Sequence, residues 1–330
     1  MKVLFLKRKE IESLISMNEV LNVVEQAFRE KGLKRVQMPP KLYLFYHKYN
    51  GDLRAMPSYL EALDISAVKI VNSHPNNMKL YNLPTVMATI ILIDPRNGAP
   101  LSIMEGSWIT AMRTGAASGI ASKYLARKDS HKLGLIGAGA QAETQILAIS
   151  SILNIKEVYI YDKDKEKMEK FILKYIEKYG KKIIINPVDK PEEAVKNMDI
   201  VVTATPSREP IVKKDWISSG MHINSIGADA PGKEELDPEI LKISKIVVDD
   251  IDQAAHGGEI NVPLSKGIIS LKNVYAELGE IVAGFKFGRE SIEEITVFCS
   301  TGLAIQDAVT AKLVYDKALE KNVGQWIDFF

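Results

Sequence analysis

One cysteine, Cys299, stands in the whole chain, which excludes an internal disulfide framework and any zinc cluster built on cysteines. Long apolar runs are missing too. No stretch approaches the ~20 residues that a membrane-spanning helix needs. The apolar opening from Met1 to Leu6 is too short for a secretory signal and reads as a first strand. Charge of one sign is also lacking: 43 Lys and Arg against 42 Asp and Glu leave a net charge of +1. That balance gives no electrostatic reason to expect nucleic acid or an anionic membrane as partner. Internal repeats, low-complexity segments, nucleophile elbows, phosphate-binding P-loops and zinc-protease motifs are all absent. What remains is 330 residues, 46% hydrophobic and 26% charged. Such a composition predicts a soluble, cytoplasmic globular protein long enough for two domains, each with its own core.

The most informative stretch present is Lys132 to Ala142, Lys-Leu-Gly-Leu-Ile-Gly-Ala-Gly-Ala-Gln-Ala. An apolar strand enters a turn with glycines at Gly137 and Gly139, and a helical pattern follows. A second strand, Glu157 to Tyr161, ends on Asp162, about 20 residues beyond the glycines, the spacing at which a dinucleotide site places its ribose-binding acid. Gly137 permits the tight turn, Gly139 lets the backbone approach a pyrophosphate, and Ala142 lets the helix pack closely on the strand. The helix N-terminus offers unpaired N–H groups to the phosphates. An acid at Asp162 accepts hydrogen bonds from ribose hydroxyls and repels a 2′-phosphate, which favours NAD over NADP. Lys163 next door works in the opposite direction.

Two patterns divide the chain. A helix is predicted from the capping-box pair Ser16 and Glu19 to Gly32, with Leu21, Val24 and Phe28 on one face. Short apolar strands follow at Leu42 to Phe45, Ile65 to Val71 and Val86 to Ile93, with turns at 50–52 and 94–98. This region reads as α+β with an antiparallel sheet. After a helix from about Thr110 to Ala126, apolar strands near 133–136, 157–161, 182–186, 199–203, 221–226, 245–249 and 295–299 alternate with helical stretches, notably Asp164 to Tyr179. Strands that are apolar throughout are buried on both faces, so a doubly wound parallel sheet is expected. A last helix, roughly Leu303 to Lys321, leaves that sheet and is expected to return to the first domain.

Several residues could carry chemistry. Lys69 sits inside the apolar strand Ile-Ser-Ala-Val-Lys-Ile-Val, on one face with Ala67 and Val71. It is either an acid–base lysine in a poorly solvated place or a strand-edge lysine reaching for water. Lys41, Arg54 and Arg113 are candidate anion contacts; converging, they would hold a substrate carboxylate, arginine with a two-pronged grip. Asp229 follows a strand of the second region, where parallel sheets place reacting groups, and could equally cap a turn. His256 and Glu259 lack a third ligand at suitable spacing, so no metal site is expected. Cys299 reads as a small buried hydrophobe.

In combination, Gln37–Lys41, Gly51–Pro57, Val71–Pro75, Leu83–Met87, Arg113–Ala117, Ile226–Asp229 with Pro231–Lys233, and Ser300–Asp307 resemble the ornithine cyclodeaminase/μ-crystallin family, essentially end to end. Within it the chain looks most like the archaeal alanine dehydrogenase branch. The resemblance implies a Rossmann-type NAD-binding domain, 128–303, inserted in an α+β substrate-binding and dimerisation domain, 1–127 plus 304–330, and a homodimer built through the first domain's sheet. It implies Lys69 as acid/base and Asp229 beside the reacting carbon, with Lys41, Arg54 and Arg113 lining the substrate pocket. Arg113, Thr114, Gly137, Gly139, Ala140, Gln141, Asp162, Lys163, Asp164, Lys233 and Ser300 fall where the family meets the dinucleotide. The activity implied is reversible, NAD-dependent deamination of L-alanine to pyruvate and ammonium. Other activities of the family are imino-acid reduction, ornithine cyclodeamination, and nicotinamide-nucleotide binding without important catalysis. One departure bears on that choice: cyclodeaminases carry a glutamate where this chain has Arg54, whose charge would repel ornithine's distal ammonium.

Overall fold

A computed structural model describes residues 1–329. In chain order it begins with β1 (Lys2–Leu6), α1 (Arg8–Leu14), α2 (Met17–Gly32), β2 (Val36–Gln37), β3 (Leu42–Tyr46), β4 (Gly51–Leu60), β5 (Ile65–Ser73), α3 (Asn77–Tyr81), β6 (Val86–Ile93), β7 (Pro100–Glu105) and α4 (Gly106–Leu125). Then come β8 (Lys132–Ile136), α5 (Ala142–Ile152), β9 (Glu157–Tyr161), α6 (Lys165–Tyr179), β10 (Ile184–Pro187), β11 (Ile200–Thr203), β12 (His222–Ser225) and α7 (Pro238–Lys242). The chain ends with β13 (Lys245–Val248), α8 (Ile251–Gly257), α9 (Asn261–Ser265), β14 (Val274–Glu277), α10 (Leu278–Val282), β15 (Thr296–Cys299), α11 (Ala304–Lys321) and β16 (Gln325–Asp328). It divides into two compact units, Met1–Arg113 with the segment from Leu303 on, and Thr114–Gly302.

The first unit holds a sheet ordered β16-β1-β7-β6-β5-β4-β2, with β3 also paired to β4. It is antiparallel except for the β1–β7 pair. Helix α11 packs on β4, β5 and β6 and against α2. The expected Ser16–Glu19 capping box forms: Glu19 N–H donates to Ser16 Oγ, and Ser16 N–H to Glu19 Oε2 at 2.9 Å.

Several elements of this unit depart from the sequence reading, β2, α3, β7 and β16 among them. Helix α1 was not expected. Strand β4 is a ten-residue strand that begins at Gly51 and Asp52, inside the turn expected at 50–52, and runs through Pro57. It survives Pro57 because β3 pairs with it only as far as Ala55 and β2 only from Tyr59. Pro57 stands in the gap, where a missing N–H costs no ladder bond on that side.

The second unit is a wholly parallel sheet ordered β10-β9-β8-β11-β12-β15-β13-β14. Its central strands are buried at every position, as the apolar runs require. Strand β14 is an edge strand that the sequence pattern did not reveal. Apolar side chains form a core on each face of the sheet, one around Ile223, Val248 and Val297, the other around Ile146, Ile160 and Val202. Strand order reverses between β8 and β11, so the crevice beyond their carboxyl ends is the switch point where doubly wound folds bind ligands. This is the Rossmann-type α/β fold expected. Cys299 is fully buried at the end of β15.

Candidate active site

In the first unit, register fixes the face. Arg54 on β4 lies opposite Val71 on β5, Met56 opposite Lys69, and Tyr43 on β3 opposite Arg54. Directly opposed residues of an antiparallel pair share a face, and so do residues two apart along a strand. Tyr43, Arg54 and Lys69 are therefore on one face. Lys69 is 1% exposed, which rules out the snorkelling alternative.

The counter-charge for Lys69 comes from α11. Asp307 is also 1% exposed; its Oδ2 lies 2.6 Å from Lys69 Nζ, and its Oδ1 accepts from Arg113 Nε at 2.9 Å. Gln306 Oε1 accepts from Arg113 Nη1 at 3.0 Å, so two neighbouring residues of α11 hold the guanidinium. One carboxylate thus serves two buried cations. Burial pulls the Lys69 ammonium down to about 7, the charge of Arg113 adds to the fall, Asp307 opposes it, and Lys41 contributes a further push downward. A lysine titrating there gives and takes protons at neutral pH, which an ordinary lysine does not.

Arg54, half-buried, donates to Asp52 Oδ2 at 3.1 Å, with its guanidinium carbon 5.5 Å from the Tyr43 ring centre. Carboxylate and ring together fix the planar fork in one orientation. Lys41, Arg54, Lys69 and Arg113 thus all belong to the first unit, with Asp307 among them. Asp307 was visible beforehand only as the last residue of a motif. The one signal for it was a carboxylate in the apolar run Leu-Ala-Ile-Gln-Asp-Ala-Val, a setting that demands a cationic partner.

In the second unit the glycine turn closes at the switch point. Gly137 has φ +107, a conformation that favours glycine, and a Cβ there would meet Ala204 O, just after β11, at 2.7 Å. Above Gly139 the space is open: a Cβ would meet nothing nearer than Lys167 Nζ at 3.9 Å. Gln141, at the start of α5, has a buried Oε1 without a hydrogen-bond partner, and Ala140 beside it is exposed. An open backbone cradle at a helix N-terminus suits a pyrophosphate, whose oxygens accept from backbone N–H groups. Asp162 closes β9. Its Oδ2 accepts from Ala138 N at 2.8 Å and from Lys167 Nζ at 3.1 Å, and its Oδ1 from Asp164 N at 3.0 Å. Burial works to raise its pKa, but these donors offset it and hold the carboxyl below the usual aspartate value. Asp164 caps α6 by accepting from Lys167 N, and Lys163 is exposed between the two aspartates.

Asp229 and Lys233 lie on the loop after β12. Lys233 Nζ donates to Asp229 Oδ1 at 2.5 Å and to Gly227 O at 3.4 Å. Two buried glutamates brace this loop. Glu235 accepts from Gly227 N at 2.8 Å and from Thr203 and Thr205. Glu259 accepts from Ser225 Oγ and from the backbone N–H groups of Glu235 and Leu236. Burial and the nearby Glu235 push Glu259 up to about 8. His256 is exposed, whereas Glu259 is buried. Among the described residues no cluster of three or more His, Cys, Asp or Glu is arranged to hold a metal. Ser300 Oγ donates to Asp249 Oδ2 at 3.3 Å, and Thr114, at the start of this unit, is buried.

These features place the molecule in the class built from a doubly wound, Rossmann-type unit inserted into an α+β unit. The chain belongs to the ornithine cyclodeaminase/mu-crystallin family, whose model matches residues 1–322. It is 53% identical to the alanine dehydrogenase of Archaeoglobus fulgidus, over all of this chain and 99% of that one. It is similar to the structure of an archaeal alanine dehydrogenase dimer with bound NAD (TM-score 0.94, 54% identity, all of both chains). It is also similar to Thermococcus litoralis Δ1-pyrroline-2-carboxylate reductase in complex with NADH and L-proline (TM-score 0.94, 48% identity, 98% and 99% of the two chains).

Proposed function

We propose that this protein is an NAD-dependent alanine dehydrogenase, converting L-alanine, NAD⁺ and water reversibly to pyruvate, ammonium, NADH and a proton. The observation that carries the reading is Lys69: a buried lysine near neutral pKa, braced by Asp307 and surrounded by cations suited to a carboxylate. Likeness to the Archaeoglobus enzyme over the full length supports the choice of substrate.

NAD, when bound, accepts the hydride that leaves the substrate's α-carbon. Gly137, Gly139, Ala140 and Gln141 would hold its pyrophosphate, Asp162 with Lys163 and Asp164 its adenosine ribose, and Thr114, Lys233, Ser300 and Arg113 the remainder. Lys41, Arg54 and Arg113 hold the substrate carboxylate. Lys69 in its neutral form takes the proton from the water that adds to the imine carbon, and Asp229 assists proton transfer as the amine departs. A small amino acid fits a pocket that offers cations for its only anionic handle, and ornithine's distal ammonium is disfavoured by Arg54.

A homodimer is part of the same reading. Leu42, Leu44 and Phe45 of β3, Met78, Leu80 and Tyr81 of α3, and Val86 of β6 are exposed in the first unit, more apolar side chains than water tolerates well on one region. We place the enzyme in the cytoplasm, in keeping with a lone, buried cysteine. Among the described residues no helix is long and apolar enough to cross a membrane.

Reduction of a cyclic imino acid is the second reading, favoured by the likeness to the Thermococcus reductase. The deciding experiment follows NADH absorbance with pyruvate plus ammonium, with pyrroline-2-carboxylate, and with ornithine alone. Turnover that requires ammonium establishes the dehydrogenase. Turnover on the cyclic imine alone refutes it in favour of the reductase, and ammonia released from ornithine without net NADH use would mean that Arg54 has been misread.

A further inference from the structure

The adenosine end of the dinucleotide site contains a cation that neither the glycine motif nor the family resemblance assigns. Lys167, on the first turn of α6, reaches back to Asp162 with Nζ 3.1 Å from Oδ2. It is also the nearest atom to the open space above Gly139. Its side chain is 49% exposed, whereas that of Asp162 is 9% exposed, so the lysine is the partner free to move. Behind it, Lys170 and Lys174 follow at helical spacing and line, with Lys167, Ala138, Phe171 and the carboxylates Asp164 and Glu166, a pocket of about 400 Å³.

We propose that Lys167 makes this a dual-cofactor site: the lysine turns from Asp162 to a 2′-phosphate, so that the pocket takes NADP(H) as well as NAD(H). The inference rests on the dinucleotide reading above and deepens it.

An acid at the end of the second strand excludes a 2′-phosphate because two anions would be forced together. Here that anion already carries its own counter-ion. With NAD, the Asp162 carboxylate keeps lone pairs for the ribose hydroxyls beside its N–H donors, and Lys167 screens it. With NADP, the phosphate brings nearly two negative charges and offers a lysine far more than one carboxylate oxygen does. Asp162 loses little when Lys167 departs, since Ala138 N and Asp164 N still donate to it. Five lysines stand against four carboxylates from Asp162 to Lys174, so the segment as a whole carries no excess of negative charge to repel the phosphate. Glu166 is tied to Lys170 rather than facing the phosphate alone.

The test is calorimetric titration of the full chain with NADH and with NADPH, alongside 5′-AMP and adenosine 2′,5′-bisphosphate as probes of the adenosine end alone. The wild type is expected to bind NADPH within about tenfold of NADH, since the 2′-phosphate gains one charge-assisted contact. Lys167→Ala should weaken NADPH at least about tenfold more than NADH, and Lys167→Arg should restore the ratio. Raising salt should weaken NADPH more steeply than NADH, because the added contact is an exposed ion pair. NADH binding without NADPH binding, or a ratio unmoved by Lys167→Ala, would overturn the proposal and leave the NAD reading intact. If neither nucleotide nor either probe binds, the dinucleotide reading itself is wrong and this inference falls with it.

Discussion

Replacing Asp307 by asparagine tests the reasoning about Lys69 most directly. The substitution keeps size and a hydrogen-bonding oxygen but removes the one negative charge that touches both Lys69 and Arg113. Lys69 titrates near 7 with that charge in place. An opposite charge at this range is worth about 1–3 pKa units, so without it the lysine should titrate near pH 4–6. On the proposed mechanism the neutral form is the base, and kcat for deamination at saturating alanine should rise with pH through the Lys69 pKa. The wild type should therefore show a limb centred on about 7, and the variant a limb displaced to lower pH by at least about one unit. Its plateau should fall too, on the order of 10–100-fold, because Nζ loses the partner that aims it. Stability should drop by about 3–5 kcal/mol, the usual cost of leaving a buried cation short of its counter-charge. Stopped-flow turnover between pH 4 and 9, with circular dichroism at each pH to confirm folding, reads all of this. A limb that stays at 7, or moves up, would show that Asp307 does not set the lysine's proton affinity.

Three further outcomes follow from the same geometry. Lys69→Met should cut turnover by about 10²–10⁴, the usual worth of a general acid–base group, while calorimetric NADH affinity stays within a few-fold; unimpaired turnover would remove Lys69 from the mechanism. Glu259→Gln should be tolerated, since glutamine is the neutral counterpart of the protonated acid: its oxygen accepts from the Glu235 and Leu236 N–H groups, and its amide N–H donates to Ser225 Oγ once that hydroxyl, which donates to Glu259 in the wild type, turns to accept. Because Glu259 is raised in the fold to about 8, its contribution to stability is present below its unfolded value and lost as pH rises through the folded one. Urea midpoints of the wild type should therefore decline from about pH 5 to 8 by more than those of the variant, and parallel curves would contradict the assignment. Arg54→Leu should raise the KM for alanine by about 10–100-fold through loss of a charged hydrogen-bonding partner, with a smaller change in kcat. An unchanged KM would place Arg54 outside the carboxylate grip.

The fold was largely legible because its signals are periodic. Strands buried on both faces announce themselves as apolar runs, and Ser16 with Glu19 marks a helix start by chemistry rather than by context. β4 was hidden because its glycine, aspartate and proline are turn formers, and only the staggered reach of β3 and β2 makes Pro57 harmless. β14, four residues at an edge, carries too little pattern to stand out. In the site, Lys69 was readable as a charge in an apolar strand, with its fate left open between catalysis and escape to water. Asp307 was not: an acid in the first turn of a helix is ordinary, favoured by the dipole alone. Its role exists only because α11 lies on β5, more than two hundred residues away in the chain. Lys167 was obscured in the same way, as one more lysine on a charged helix until its reach to Asp162 was known. Glu235 and Glu259 are separated by 24 residues, and nothing in the intervening sequence signals that both brace one loop.

The two units differ in when they can be finished. Residues 114–302 are contiguous, so the nucleotide-binding unit can fold as soon as it has cleared the ribosome, domains generally folding as they emerge. The first unit is begun earlier and completed later. Until α11 is synthesised, Lys69 and Arg113 lack the carboxylate that both depend on, and β4, β5 and β6 lack the helix that covers them. Completion of the Lys69 site therefore waits on α11: a chain cut short before residue 304 would keep residues 114–302 whole while its buried lysine had no counter-ion.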